Sequence, residues 1–257
     1  MPLLPILIFY LFALTATAFA QEQQIKTLAA QFDSVNTSVR DNKTDKARAL
    51  KKIQNILPEL QTAYNKLKPN EAKKEKLIFP VEGYSSKDIG GTRGEGYAPK
   101  GYDYFDGNKH GGHPAQDIFI KDKNQDSKDD ATGRFVNVLS VSNGIVVALE
   151  KHWDNASSLR GGKYIYIYSP NDNALFYYAH NNEVLVNIGQ VISKGDTIAT
   201  VGRTGLNAFK KRSPTHLHFM KLELDNEFYP RSVNVYEDLT DAPKETAKVC
   251  LLLMWHG

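Results

Sequence analysis

Five side chains of the 257-residue sequence form patterns that could do chemistry. They are His113 and Asp117 in His113-Pro114-Ala115-Gln116-Asp117, His180 in Tyr178-Ala179-His180, and the pair in His216-Leu217-His218-Phe219. In a strand, side chains at i and i+2 lie on one face, so His216 and His218 project together while Leu217 and Phe219 face a core. Neutral imidazoles with a carboxylate nearby suit zinc, and a catalytic zinc takes three protein ligands and keeps a fourth position open. His113, Asp117 and one member of the His216/His218 pair would supply the three. The other member would be free for acid–base work, with His180 as a second helper.

The elements that must position these residues read as β-structure. Gly90, Gly91, Gly94, Gly96, Pro99 and Gly101 mark a loop-rich entry. Short β-rich runs follow at Asp117–Lys121, Phe135–Val141, Gly144–Leu149, Lys163–Tyr168, Leu175–Ala179, Val184–Ile188, Thr197–Val201 and His216–Leu224. Ile165 and Ile167 alternate with Tyr164, Tyr166 and Tyr168, which is strand periodicity. Many short strands without a long helix predict a mainly β domain, an antiparallel sheet or sandwich.

Upstream, the pattern is helical. Ile25, Leu28, Phe32, Val35 and Val39 recur at three or four residues, and after the polar break Asp41-Asn42-Lys43-Thr44 so do Leu50, Ile53, Leu57, Leu60, Tyr64 and Leu67. This predicts an N-terminal helical hairpin or coiled-coil segment, with Pro58 kinking or splitting its second helix. A spacer that packs its own two stripes together is the first expectation. Docking on the β domain, on a partner or on a second copy is the second. The division expected is a signal peptide at 1–20, the hairpin at 21–68, a linker at 69–78, the β domain at 79–239 and a tail at 240–257. The apolar run Leu3 to Phe19, ending in Ala18-Phe19-Ala20, predicts export to the periplasm or medium, or a membrane anchor if it is not cleaved. A net charge of +3 from 32 basic and 29 acidic residues gives no electrostatic case for nucleic acid, and the single cysteine, Cys250, excludes an intramolecular disulfide framework and cysteine-cluster metal sites.

Taken together, Gly111-Gly112-His113-Pro-Ala-Gln-Asp117-Ile118, Tyr178-Ala-His180, and Val201-Gly-Arg-Thr-Gly205 leading to Thr215-His216-Leu-His218-Phe219 resemble the LytM/lysostaphin-type zinc endopeptidases, which cut peptide bonds in bacterial peptidoglycan. The resemblance spans about Phe79 to Leu239. Ile188-Gly-Gln-Val-Ile-Ser-Lys-Gly-Asp196 looks like that family's turn into a Gly-rich hairpin similar to those of lipoyl carrier domains. The resemblance implies zinc held by His113, Asp117 and His218, with His216 and His180 as catalytic histidines that do not bind it. Two departures stand out. Pro114, Ala115 and Gln116 occupy the first motif where glycine is usual, and Asn207 to Pro214, with Lys210, Lys211 and Arg212, replaces a short approach to the histidine pair. That basic loop is expected either to face solvent or to gate the groove and contact an anionic wall polymer.

Asp122-Lys-Asn124-Gln-Asp126-Ser-Lys-Asp-Asp130 has oxygen ligands at alternate positions, as calcium loops do, but Ser127 and Gly133 stand where such loops carry Gly and Glu. An acidic hairpin tip is the first expectation there and a calcium site the second. The leading functional expectation is an exported zinc metalloendopeptidase acting on peptidoglycan peptides. The alternatives are a catalytically silent wall-binding adaptor or activator with the same fold, and a periplasmic protease acting on proteins.

Overall fold

The computed structural model describes residues 4–69 and 74–244, with side chains from residue 18 onward. Helix α1 (Leu4–Arg40) runs without a break through Ala18-Phe19-Ala20. The apolar side chains up to residue 17, part of the 69–78 linker, and the tail from 245, with Cys250, lie outside the described residues. Among the described residues no helix is long and apolar enough to cross a membrane.

The polar break is a tight turn. Asp45 then caps α2 (Lys46–Leu67), its side chain accepting from the Arg48 N–H at 2.8 Å. Pro58 does not split α2. Its missing N–H and ring clash cost about 3 kcal/mol or more in a helix interior. Ile56, Leu57 and Leu60 around it are buried, each contributing roughly 1.5–3 kcal/mol, so packing wins.

The β domain has two antiparallel sheets. The larger holds β1 (Gln116–Phe119), β3 (Gly144–Glu150), β4 (Tyr164–Ser169), β5 (Ala174–Ala179), β7 (Val191–Ile192), β9 (His216–Leu224) and β10 (Pro230–Val233). Its order is β1-β9-β5-β4-β3-β7, with β10 sharing the β1 edge of β9: β1 pairs with His216–Phe219 and β10 with Lys221–Leu224. The smaller sheet is β2 (Asn137–Leu139), β8 (Thr197–Thr200) and β6 (Glu183–Val184), ordered β2-β8-β6. The Ile188–Asp196 turn crosses between the sheets, since β7 joins the large one and β8 the small one. Both β7 and β10 escape prediction. The first is two residues long, and the second begins with Pro230, which an edge position tolerates. A short helix, α3 (Tyr236–Thr240), ends the described chain.

The large sheet is buried on both faces. Ile165 and Ile167 of β4 pack toward the small sheet, with Leu217 and Phe219. Tyr164, Tyr166 and Tyr168 pack toward the helices, with Ile53, Leu57, Leu60 and Phe32. The alternation therefore separates aliphatic from aromatic rather than apolar from polar, because the hairpin lies on the second face. This corrects the spacer expectation: the hairpin packs its stripes together and is also docked. Buried Asn36 donates to Tyr164 Oη at 3.1 Å and accepts from Tyr104 Oη at 3.0 Å, and Asp33 accepts from Leu149 N at 3.2 Å. Arg40 pairs with Glu150 at 2.9 Å and Lys46 with Asp103 at 2.7 Å. Hydrophobic burial supplies most of the docking energy, and the Asn36 bonds fix its register, because a lost partner would strand buried phenols at about 1–3 kcal/mol each.

Candidate metal centre

The pairing of β1 with β9 sets Asp117 directly across from His218. The Asp117 carboxylate thus meets His218 Nδ1 at 2.9 Å. His113 precedes β1 at an isolated bridge, where its backbone exchanges two 2.7 Å hydrogen bonds with Ala98. Its Nε2 lies 3.2 Å from the same Asp117 oxygen. The ligand atoms of His113, Asp117 and His218 all fall within 4.8 Å of one another, the one group of three or more such side chains among the described residues. His216 Nε2 stands outside this trio, 3.8 Å from Asp117.

His180 arrives from β5, whose Ala179 pairs with His218 on the other side of β9. It leaves the strand at φ 66°, a conformation unfavourable for a side chain with a Cβ, and this turns its ring onto His216, with centroids 4.9 Å apart. A residue larger than glycine at 205 (φ 116°) would place its Cβ 2.8 Å from His180 Nδ1 and 2.3 Å from the Arg160 carbonyl. The motif Val201–Gly205 is thereby explained by close approach to the histidine.

Three of the rings are oriented by backbone carbonyls. His113 Nδ1 meets Gly96 O at 2.7 Å, His180 Nδ1 meets Thr204 O at 2.8 Å and His216 Nδ1 meets Pro214 O at 2.8 Å. A carbonyl only accepts, so each Nδ1 carries the proton; on His180 and His216 this leaves the lone pair on Nε2, whereas His113 Nε2 faces the Asp117 carboxylate. Burial would raise the Asp117 pKa, but hydrogen bonds from His113 and His218 hold it well below the usual carboxylate range. The bond to Asp117 raises His113. Burial lowers His218 against the pull of Asp117, and it lowers His180 strongly, with His216 and His218 adding to the effect. The carbonyls of Gly96, Thr204 and Pro214 carry no sequence signal, since any residue supplies one.

A cleft of 220 Å³ opens over the cluster, lined by all five predicted side chains together with Arg160, Asn207 and Ser213. Arg160 was not read from the sequence; its place before Gly161-Gly162 and β4 was the available hint. The basic loop Asn207–Pro214 is fastened rather than free. Arg203 donates to the carbonyls of Lys210 and Ser213, Gln125 donates to that of Lys211, and Phe209 packs on Trp153 at 5.4 Å. Asp122 accepts from Ser127 N, Asp126 N and Thr215 Oγ1, Asp130 from Lys123 N and Asp126 from Lys128 N. These carboxylates cap the turn's own N–H groups. The 2.6 Å bond from Thr215 to Asp122 also braces the start of β9 beside His216.

Two imidazoles and a carboxylate converge under an open cleft, with two further histidines alongside, a donor set that could hold one metal ion through three side chains. Residues 127–230 match the model of peptidase family M23. The matched segment holds His180, His216 and His218. His113 and Asp117 lie upstream and reach the site through β1–β9 pairing. Among solved structures, the chain is similar to a zinc-containing peptidase from Vibrio cholerae (24% identity, TM-score 0.42), covering 66% of this chain and 41% of that one. It is also similar to a protein from Ruminococcus gnavus named for the glycyl-glycine endopeptidase LytM (19% identity, TM-score 0.47, 89% of this chain and 88% of that one). A third is the catalytic domain of lysostaphin, an antimicrobial peptidase from Staphylococcus simulans (21% identity, TM-score 0.35, 50% of this chain and 80% of that one).

Proposed function

We propose that this protein is an exported zinc-dependent endopeptidase that hydrolyses peptide bonds in bacterial peptidoglycan. The observation that supports it most is the convergence of His113, Asp117, His180, His216 and His218 on one cleft. The donor set fits zinc: His113 Nε2, an Asp117 oxygen and His218 Nδ1 would hold it, with the cleft side left open. When bound, the metal would activate water and polarise the scissile carbonyl. The 2.7 Å bond from His113 Nδ1 to Gly96 O fixes the ring that presents Nε2.

His216, held by Pro214 O, directs an unprotonated Nε2 into the cleft and takes the proton from the attacking water. His180, kept neutral by burial, orients the reactants. The protonated His216 then returns its proton to the leaving amine. The adaptor reading is not favoured, because every side chain that this chemistry needs is in place.

The test is elemental analysis of the purified protein, followed by incubation with peptidoglycan with and without a chelator. About one zinc per chain and chelator-sensitive release of new amino termini are expected. Bound zinc with no release from peptidoglycan, but cleavage of unfolded protein, would replace the substrate class. No zinc and no release would leave the adaptor.

A further inference from the structure

A second cavity, of 80 Å³, adjoins the cleft and shares with it the walls His110, Pro114, Arg160, Gly161, Tyr177 and His218. Its far side is the end of α1, at Asn36, Val39 and Arg40. The docked hairpin therefore supplies part of the wall at this end of the groove.

The polar groups here divide into satisfied and unsatisfied ones. Arg40 is neutralised by Asp41 at 2.7 Å and Glu150 at 2.9 Å. Asn36, Tyr104 and Tyr164 bond one another. Arg160 has no carboxylate partner among the described residues; its guanidinium donates to the His110 carbonyl. The hydroxyls of Tyr102, Tyr166 and Tyr177, which also line the cavity, make no hydrogen bond to any described residue. The ring of Tyr177 stands 6.1 Å from His218 and 4.4 Å from Tyr166. Its hydroxyl lies against Gly161, where a Cβ would come within 2.0 Å of it, so the glycine keeps the phenol beside Arg160. Burial raises the pKa of Tyr102, Tyr166 and Tyr177, so all three stay protonated donors. One guanidinium with no carboxylate partner among the described residues and three donor hydroxyls lining the same cavity suit a small anion.

We propose that Arg160, with Tyr102, Tyr166 and Tyr177, forms a subsite that receives the free C-terminal carboxylate of the peptide being cut. This rests on the peptidase reading above. A terminal carboxylate is favoured over an acidic side chain because Asn36, Val39 and Arg40 of α1 line the cavity on the path that a longer chain would have to follow. A chain that continued past this point would meet Val39 and Arg40. The protein would then act preferentially at peptide ends, with the carboxylate held on the leaving-group side of the metal centre.

The test uses the full-length, zinc-loaded protein and three synthetic peptides of the peptidoglycan stem type. One ends in a free carboxylate, one is its C-terminal amide, and one keeps the free end but carries amides in place of its internal acids. Binding is titrated calorimetrically, and cleavage is followed separately. The free acid should bind at least tenfold more tightly than the amide, the loss expected when a charge-assisted bond is removed. In Arg160→Gln that ratio should collapse to about one, through KM rather than kcat, with zinc content and melting temperature retained; Arg160→Lys should restore part of it. Tyr166→Phe should reduce the ratio by a smaller factor. Equal binding of acid and amide by the unsubstituted protein overturns the subsite, whether or not the peptides are cut. Discrimination that follows the internal acids instead of the terminus overturns it in favour of side-chain recognition. Failure to cut peptidoglycan or any peptide, with the acid/amide ratio intact, would overturn the peptidase reading and leave the carboxylate site standing.

Discussion

The two halves of β9 share one strand, one face and one spacing, yet do opposite work. His216 and His218 look into a polar cleft, whereas Met220, Leu222 and Leu224, the next residues on the same face, lie buried with the helical hairpin in one core. The strand period is identical across the boundary. What changes is the covering layer: the α1–α2 hairpin dehydrates one half, and loops carrying Arg160 and Asn207–Pro214 leave the other open. A binding site on a sheet is thus made as much by where a neighbouring layer stops as by the residues on the strand.

The metal half should fail first. Asp117→Ala or His218→Ala should reduce bound zinc from about one per chain to nearly none, read by elemental analysis, and abolish turnover with it. Retained metal in both variants would mean that the trio is not the ligand set. His216→Ala should keep zinc and lower kcat by about 10²–10⁴, the range for a lost general base, and His180→Ala should cost less because burial holds it neutral and it only orients the reactants. The reverse order would exchange their roles.

The covered half should fail through stability instead. Leu60→Ala, fully buried between the helices and the sheet, should cost about 2–5 kcal/mol in denaturant unfolding. Asn36→Leu strands Tyr104, leaves Tyr164 only its 3.4 Å bond from Arg40, and should cost about 1–3 kcal/mol while zinc content holds. Loss of zinc in Asn36→Leu would show that the two halves are coupled.

The smallest effect sharpens the electrostatics. The hydrogen bond to Asp117 raises the His113 pKa in the metal-free protein, and His113 must lose that proton before it can ligate. Metal affinity should therefore weaken as pH falls through the His113 titration and strengthen as pH rises above it. In metal-free Asp117→Asn, the His113 pKa followed by NMR should move down, since its largest supporting interaction carries no charge. An unmoved value would assign the shift to the surroundings.

The legible part of the molecule was the part written in side-chain type and period. The histidine motifs, the span His216–Leu224, the helical stripes and the turn before Asp45 all follow from local rules. The docking of the hairpin did not, because a stripe of Leu and Ile states that something covers it without naming what. The Tyr/Ile alternation of β4 held the missing information: a strand with no polar face needs a layer on each side. The orientation of His113, His180 and His216 was hidden for another reason, since it depends on carbonyls that every residue carries. Arg160 and its three tyrosines were invisible as a group, because they lie on separate elements that only the fold assembles.

The most direct test of the central claim is anomalous scattering at the zinc edge from crystals of the full chain. The account predicts one peak within coordination distance of His113 Nε2, an Asp117 oxygen and His218 Nδ1, with His216 and His180 beside it but unligated. A peak held by His216 or His180, or no peak at the cleft in zinc-soaked crystals, would contradict it.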